Sequence, residues 1–249
     1  MFPIQDDTPR RCPPIMTWTL IGVNVIVFLY ETNLPRPMLE HFFYVFGLVP
    51  AKITRPEWAE YMGPDALGLW PFLTCMFLHG GWVHILGNMW TLWIFGDNVE
   101  DLMGPWRFLL FYLLCGIGAS LLHIYINPVS TVPIIGASGA IAGVMGAYYT
   151  LFPRARIVIL FPVFFIPFFF EIPAILYLAF WFLQQVFSGT LSLAAPFFAS
   201  QIAWWAHVGG FLFGMSLNRL FIRWAGSRNC MRYKDEYRFF GLLEPYDRR

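Results

Sequence analysis

The stretch Phe108–Pro153, FLLFYLLCGIGASLLHIYINPVSTVPIIGASGAIAGVMGAYYTLFP, runs 46 residues without one Asp, Glu, Lys or Arg. A helical membrane crossing needs about 20 mostly apolar residues, so this stretch holds two. The break between them falls at Asn127-Pro128 and continues through Pro133 to Gly136, where proline and glycine interrupt a helix. Three further charge-free runs flank it. Cys12–Tyr30 is 19 residues, one span. Ala66–Gly96 is 31 residues, one span after an apolar approach broken by Pro71, Gly80 and Gly81. Ile172–Asn218 is 47 residues, two spans divided around Ser188-Gly189 and Pro196. The expected fold class is all-α: a polytopic membrane protein with six transmembrane helices.

Composition agrees with that reading. Of 249 residues, 58% are hydrophobic, 20% aromatic and only 12% charged. Soluble domains carry roughly 25% charged residues, and a soluble globule of this size cannot cover so much apolar surface. Disorder needs low hydrophobicity. A net charge of +1 offers no broad field for phosphates, so nucleic acid is not a partner. The partner the composition does imply is the lipid bilayer.

Ile157–Phe170 is too short to span and is twice broken, by Pro162 and Pro167. It reads as a connector lying in the membrane interface or dipping in, with a seventh span as the alternative. Lys and Arg concentrate on cytoplasmic loops. With the N-terminus inside, 13 of the 16 basic residues fall inside, and only Arg36, Lys52 and Arg55 fall outside. Both termini are therefore expected in the cytoplasm. The chain divides into a cytoplasmic lead (1–11), a membrane domain (12–224) and a charged cytoplasmic tail (225–249). Cys12, Cys75, Cys115 and Cys230 form no CxxC pair, which predicts no disulfide framework and no metal site. Nothing in the sequence calls for a cofactor.

Function is sought where polar groups interrupt apolar runs, because placing them there is costly. Gly136-Ala137-Ser138-Gly139 opens the fourth span, and Gly139, Gly143 and Gly146 then share one helix face. In the last span, His207, Gly210 and Gly214 share another face. In the second, His84 and Asn88 stand at i and i+4, with His79 in the approach. Each has a plainer reading: helix packing for the glycines, a capping or interhelical hydrogen bond for the polar residues. Taken together they place a hydroxyl, an imidazole and hydrogen-bond donors from three segments at one depth, toward the outer side. Packing alone does not ask for that coincidence.

At these residues the chain resembles the rhomboid family of intramembrane serine proteases. The resemblance rests on HxxxxHxxxN (His79, His84, Asn88), GxSG (Gly136–Gly139) and AHxGGxxxG (Ala206–Gly214), in that order. It implies a rhomboid-like helical bundle and a Ser–His dyad without an Asp. Ser138 would be the nucleophile and His207 the general base and later the acid. The Ser138 N–H and the side chains of His84 and Asn88 would form the oxyanion hole, with His79, Gly136, Gly139, Gly210 and Gly214 in support. Glu100 looks like the family's acidic residue at the inner end of the second span, with a structural role. The uncharged Ser188–Gln201 segment resembles the family's cap. The Phe-rich fifth span (Phe180, Trp181, Phe182, Phe187) would border lateral substrate entry.

Two departures stand out. Where members often carry Trp-Arg in the first loop, this chain has Trp70-Pro71. Where some place a Tyr one turn after the Ser to stack on the catalytic His, it has Ala142. His207 therefore needs another support, which the sequence does not name.

The resemblance implies a serine endopeptidase cutting transmembrane segments of membrane-protein substrates near the outer face of the bilayer, in a bacterial inner membrane. The alternative is a catalytically inactive rhomboid-like pseudoprotease that binds membrane-protein clients. A channel is disfavoured, since the polar residues cluster on one side and form no charged relay across the membrane.

Overall fold

In a computed structural model, residues 2–55, 57, 68–163, 166–194 and 202–222 are described. The tail 225–249, Cys230 and the second half of the expected cap (195–201) lie outside them; the cap's first half, expected to break the helix at Ser188-Gly189, instead lies within the helix Ala174–Ala194. The element order is β1 (Phe2–Asp6), α1 (Ile15–Thr32), α2 (Arg36–Phe46), α3 (Pro50–Thr54), α4 (Pro71–Thr74), α5 (Trp82–Met103), α6 (Pro105–Ile126), α7 (Ser138–Leu151), β2 (Arg156–Val163), β3 (Ile166–Pro173), α8 (Ala174–Ala194) and α9 (Trp204–Phe221). The molecule is mostly helical, and α1, α5, α6, α7, α8 and α9 fall on the six spans read from the sequence. Of these, α1, α6 and α8 are by themselves long and apolar enough to cross a membrane. The others are marked by polarity or length: α5 carries Asp97, Glu100 and Asp101 in its last turns, and α7 has only 14 residues.

The all-α expectation needs one correction. The described residues of the connector 157–170 are strand rather than helix. Arg156–Val163 and Ile166–Pro173 pair as an antiparallel hairpin, and β1 adds on the far side of β2 to give the order β1-β2-β3. The β-branched and aromatic run Ile157-Val158-Ile159-Leu160-Phe161 favours a strand. Pro162 and Pro167 sit opposite each other beside the turn, a place where proline costs a sheet little. Pro3 sits next to a register shift in the edge strand β1. Ile157 and Ile159 are fully buried, while Phe161, Ile166, Phe168, Phe169 and Phe170 are exposed.

A second correction concerns cysteine. Cys75 and Cys115 are free and buried, but Cys12 is disulfide-bonded. Spacing reveals CxxC pairs; it carries no information about thiols brought together by the fold.

α7 is the central helix. Every residue from Gly139 to Tyr148 is buried, and the helix packs most closely on α9 and α6. The two glycine faces meet. A Cβ at Gly210 would collide with the Gly139 carbonyl, and one at Gly214 with the Gly143 carbonyl. The α7 and α9 backbones therefore touch directly, as small residues permit between membrane helices.

The other end of the bundle is tied by carboxylates. The first N–H groups of a helix lack intrahelical partners. In α1, those of Met16 and Thr17 donate to the Glu100 carboxylate at 3.0 and 2.8 Å, and Thr17 Oγ1 adds a third bond at 2.9 Å. Asp101 accepts from the N–H groups of Arg11 and Cys12 just upstream. An anion at a helix N-terminus also complements the macrodipole.

Between α1 and α5, the described residues form α2, α3 and α4, and residues 44–54 dock on the 127–136 segment. Leu48 and Ile134 form a bridge, the Ala51 N–H donates to the Ser130 carbonyl, and Tyr44 Oη donates to the Thr131 carbonyl. Trp70 joins this region through an Nε1–H bond to the Val45 carbonyl. Anchoring here does not depend on a Trp-Arg pair.

Candidate active site

Ser138 is the first residue of α7, His207 lies one turn into α9, and His84 and Asn88 lie in the first two turns of α5. Glycine at 136 allows the chain to enter α7 at φ +122°, a region that L side chains rarely adopt. It also leaves room. A Cβ there would stand 2.6 Å from His84 Nε2 and 3.6 Å from Asn88 Nδ2. The α5 side chains thus converge on the backbone just ahead of Ser138.

Ser138 Oγ lies 2.8 Å from His207 Nε2. The two residues are 69 positions apart in sequence, and the close α7–α9 packing brings them together. The other ring nitrogen, Nδ1, lies 2.8 Å from Gln185 Oε1 on α8. Trp181, one turn earlier on α8, faces the ring with centroids 5.9 Å apart and planes at 32°. Trp204 meets it edge-on at 6.1 Å.

On the α5 side, Asn88 Nδ2–H donates to His79 Nε2 at 2.9 Å. The His79 backbone N–H donates to the carboxylate of Glu31, the last-turn residue of α1, at 3.2 and 3.3 Å. His79 and Glu31 are each 1% exposed, so this network is internal. The Gly136 N–H donates to the Cys75 carbonyl at 2.8 Å, tying the entry of α7 to the segment that leads into His79.

A cavity of about 1220 Å³ is lined by Ser138, His207, His84, Asn88, Gln185 and His123, among others. It provides the two features acyl transfer needs in one place: a hydroxyl paired with an imidazole, and amide and ring N–H donors beside it.

Of the residues singled out in the sequence, Ser138, His207, His84, Asn88, Gly136 and Gly139 line this cavity. His79 is held by Asn88, while Gly210 and Gly214 press α9 against α7. The expectation for the fifth span divides. Phe180 and Phe187 point outward, at 74% and 68% exposed, whereas Trp181 faces His207 and Phe182 packs on Phe211 at 4.8 Å. The sequence reading missed Gln185, Glu31 and His123, and gave Trp181 to substrate entry rather than to His207. A signal for Gln185 was present: Gln184-Gln185 is a polar pair inside a charge-free run, the same kind of anomaly that exposed Ser138 and His207.

Comparison with known proteins points the same way. The model of the Rhomboid domain matches residues 66–224, which hold all the site residues above except Glu31. The chain is 33% identical over 135 residues to Rhomboid protease GluP of Bacillus subtilis, covering 54% of this chain and 24% of that protein. It is 33% identical over 122 residues to Rhomboid-like protein 11, chloroplastic, of Arabidopsis thaliana, covering 48% of this chain and 39% of that one. It is 34% identical over 94 residues to the human Presenilin-associated rhomboid-like protein, mitochondrial, covering 36% and 24%. The chain thus spans well under half the length of these relatives. With the domain match covering most of the chain and the Ser138, His207 and Asn88 segments folded around one cavity, this integral membrane protein belongs to the rhomboid family.

Proposed function

We propose that the protein is an intramembrane serine endopeptidase that cuts transmembrane segments of other membrane proteins. The observation that carries this reading is the 2.8 Å approach of Ser138 Oγ to His207 Nε2, within hydrogen-bond reach of a general base. In this reading the six helices all cross the bilayer, in a bacterial plasma membrane, with both termini cytoplasmic.

The chemistry follows from the groups present. His207 Nε2 takes the Ser138 proton as Oγ attacks the scissile carbonyl. The developing oxyanion meets the Ser138 N–H, the Asn88 amide and the His84 ring N–H, at the positive end of α7. The imidazolium then gives its proton to the leaving amine, an acyl-enzyme forms, and water repeats the cycle in reverse. Removing one oxyanion donor typically costs about 10²–10³ in rate.

The short length of α7 gives the site its depth. Fourteen residues come to about 21 Å at 1.5 Å per residue, against roughly 30 Å of hydrocarbon. With its far end tied to Asp6 of β1 through the Tyr148 hydroxyl, α7 begins below the outer surface, and Ser138 with it. Water reaches it through the cavity. Substrate helices must unwind to present a carbonyl, which favours Gly or Pro near their outer ends. The hairpin β2–β3 lies at the cytoplasmic interface, with Ile166 and Phe168–Phe170 toward lipid.

A fluorescent fluorophosphonate tests the site. The purified wild type is expected to become labelled, and Ser138→Ala and His207→Ala to stay unlabelled. Folded wild type that never reacts would overturn the enzyme reading in favour of a client-binding pseudoprotease.

A further inference from the structure

Among the described residues no carboxylate stands behind His207; its Nδ1 faces an amide. Gln185 is 3% exposed, and its orientation is set at its other end. Gln185 Nε2 donates to the Trp181 carbonyl at 3.3 Å and to Gln184 Oε1 at 2.6 Å. Turning the amide over would press its oxygen against the Trp181 carbonyl oxygen and, unless the Gln184 amide turned with it, against Gln184 Oε1. Oε1 therefore faces the ring. An amide oxygen only accepts, so His207 Nδ1 must carry the hydrogen of that 2.8 Å bond. Neutral imidazole has a single N–H. With it on Nδ1, the lone pair sits on Nε2 and points at Ser138 Oγ, 2.8 Å away.

We propose that Gln185 is a positioning residue for the reaction, selecting the Nδ1–H tautomer of His207 and aiming Nε2 at Ser138. This rests on the reading of Ser138 and His207 as a dyad and supplies the support that Ala142 leaves missing. The amide plays the orienting part that Asp plays in a Ser–His–Asp triad, without the charge. Trp181, four residues earlier, lies on the same face of α8 and limits tilting of the ring. Both supports come from α8, while nucleophile and base come from α7 and α9, so three helices must be in register for the site to work.

The test is inactivation of the full-length protein by a small fluorophosphonate, resolved into kinact and KI across pH. In this reaction the Ser138 Oγ–P bond forms, the P–F bond breaks, fluoride leaves, and the serine proton passes to His207 Nε2. Gln185→Leu is expected to lower kinact about 10- to 100-fold with KI near wild type. That is less than the roughly 10⁴-fold cost of a wrong tautomer behind a charged partner, because a neutral amide contributes orientation alone. Gln185→Glu is expected to keep kinact above that of Gln185→Leu and to move the acid limb of its pH profile upward, since a carboxylate stabilises the imidazolium. Gln185→Leu within twofold of wild type, or Gln185→Glu with the wild-type pH profile, would overturn the proposal. If Gln185→Leu does not fold, the Gln185→Glu profile decides. Failure of the underlying dyad reading is distinguishable, because then the wild type itself does not react.

Discussion

Gly136 carries two demands at once. Its backbone lies at φ +122°, and its missing side chain leaves the space that His84 Nε2 occupies. Gly136→Ala should therefore cost on the order of 1–3 kcal/mol in backbone strain and push His84 away from the start of α7. The expected result is a lower melting temperature together with slower fluorophosphonate labelling at a temperature where the variant is still folded. Unchanged labelling would separate His84 from the reaction. Ser138, His207, His84 and Asn88 were legible in the sequence because each is polar inside an apolar run and each keeps a helical spacing with its neighbours. Gln185 was less legible. A glutamine pair signals that one member faces inward, but only the packing of α8 against α9 says that its partner is His207.

Helices α7 and α9 meet backbone to backbone, and a Cβ at Gly210 would enter the Gly139 carbonyl. Gly210→Ala should force these helices apart, at the typical overpacking cost of about 1–3 kcal/mol. Labelling should fall more than stability does, because the same contact sets the Ser138–His207 distance. A thermal melt paired with a labelling rate checks this, and equal loss in both would contradict it. The carboxylate end should behave oppositely. Glu100→Gln retains one acceptor for the three donors of Met16 and Thr17. It should destabilise the protein by about 1–3 kcal/mol while leaving the labelling rate of folded protein near wild type. A large loss of labelling at unchanged stability would assign Glu100 to the chemistry. The spans were legible from charge-free runs. The strands were not. A 14-residue apolar run with two prolines has no period that separates strand from helix, and β1 finds its partner some 150 residues along the chain.

On the scale of the whole molecule, the sheet and the helical bundle are joined through Asp6. Tyr148 Oη at the far end of α7 donates to the Asp6 carboxylate, Thr8 Oγ1 lies 3.0 Å from the same hydroxyl, and Asn98 Nδ2 donates to the Thr8 carbonyl at 3.0 Å. Burial raises the Asp6 pKa well above the usual carboxylate range; the charge of Asp97 adds to this, and the Tyr148 and Thr8 hydroxyls draw it partly back. A carboxyl whose folded-state pKa is raised holds its proton more tightly in the folded protein. Its contribution to stability is full below the ordinary carboxylate range and is lost as pH rises through the raised value. Melting temperature should therefore fall with rising pH across that window, and Asp6→Asn should flatten the fall. A wild-type curve already flat there would contradict the assignment. The expected domain boundaries at 12 and 224 were drawn from charge alone. Charge does not reveal that the N-terminal lead contributes a strand to the same sheet as the connector, because that contact is made by backbone groups any sequence carries.

Ser138 and His207 are proposed to work together on a peptide bond at the membrane. The most direct measurement is cleavage of a single-span membrane protein, with Gly or Pro near its outer end, co-reconstituted in liposomes with this protein. Wild type is predicted to release a shortened fragment, and Ser138→Ala and His207→Ala, folded to the same degree, to release none. Equal cleavage by Ser138→Ala would contradict the account.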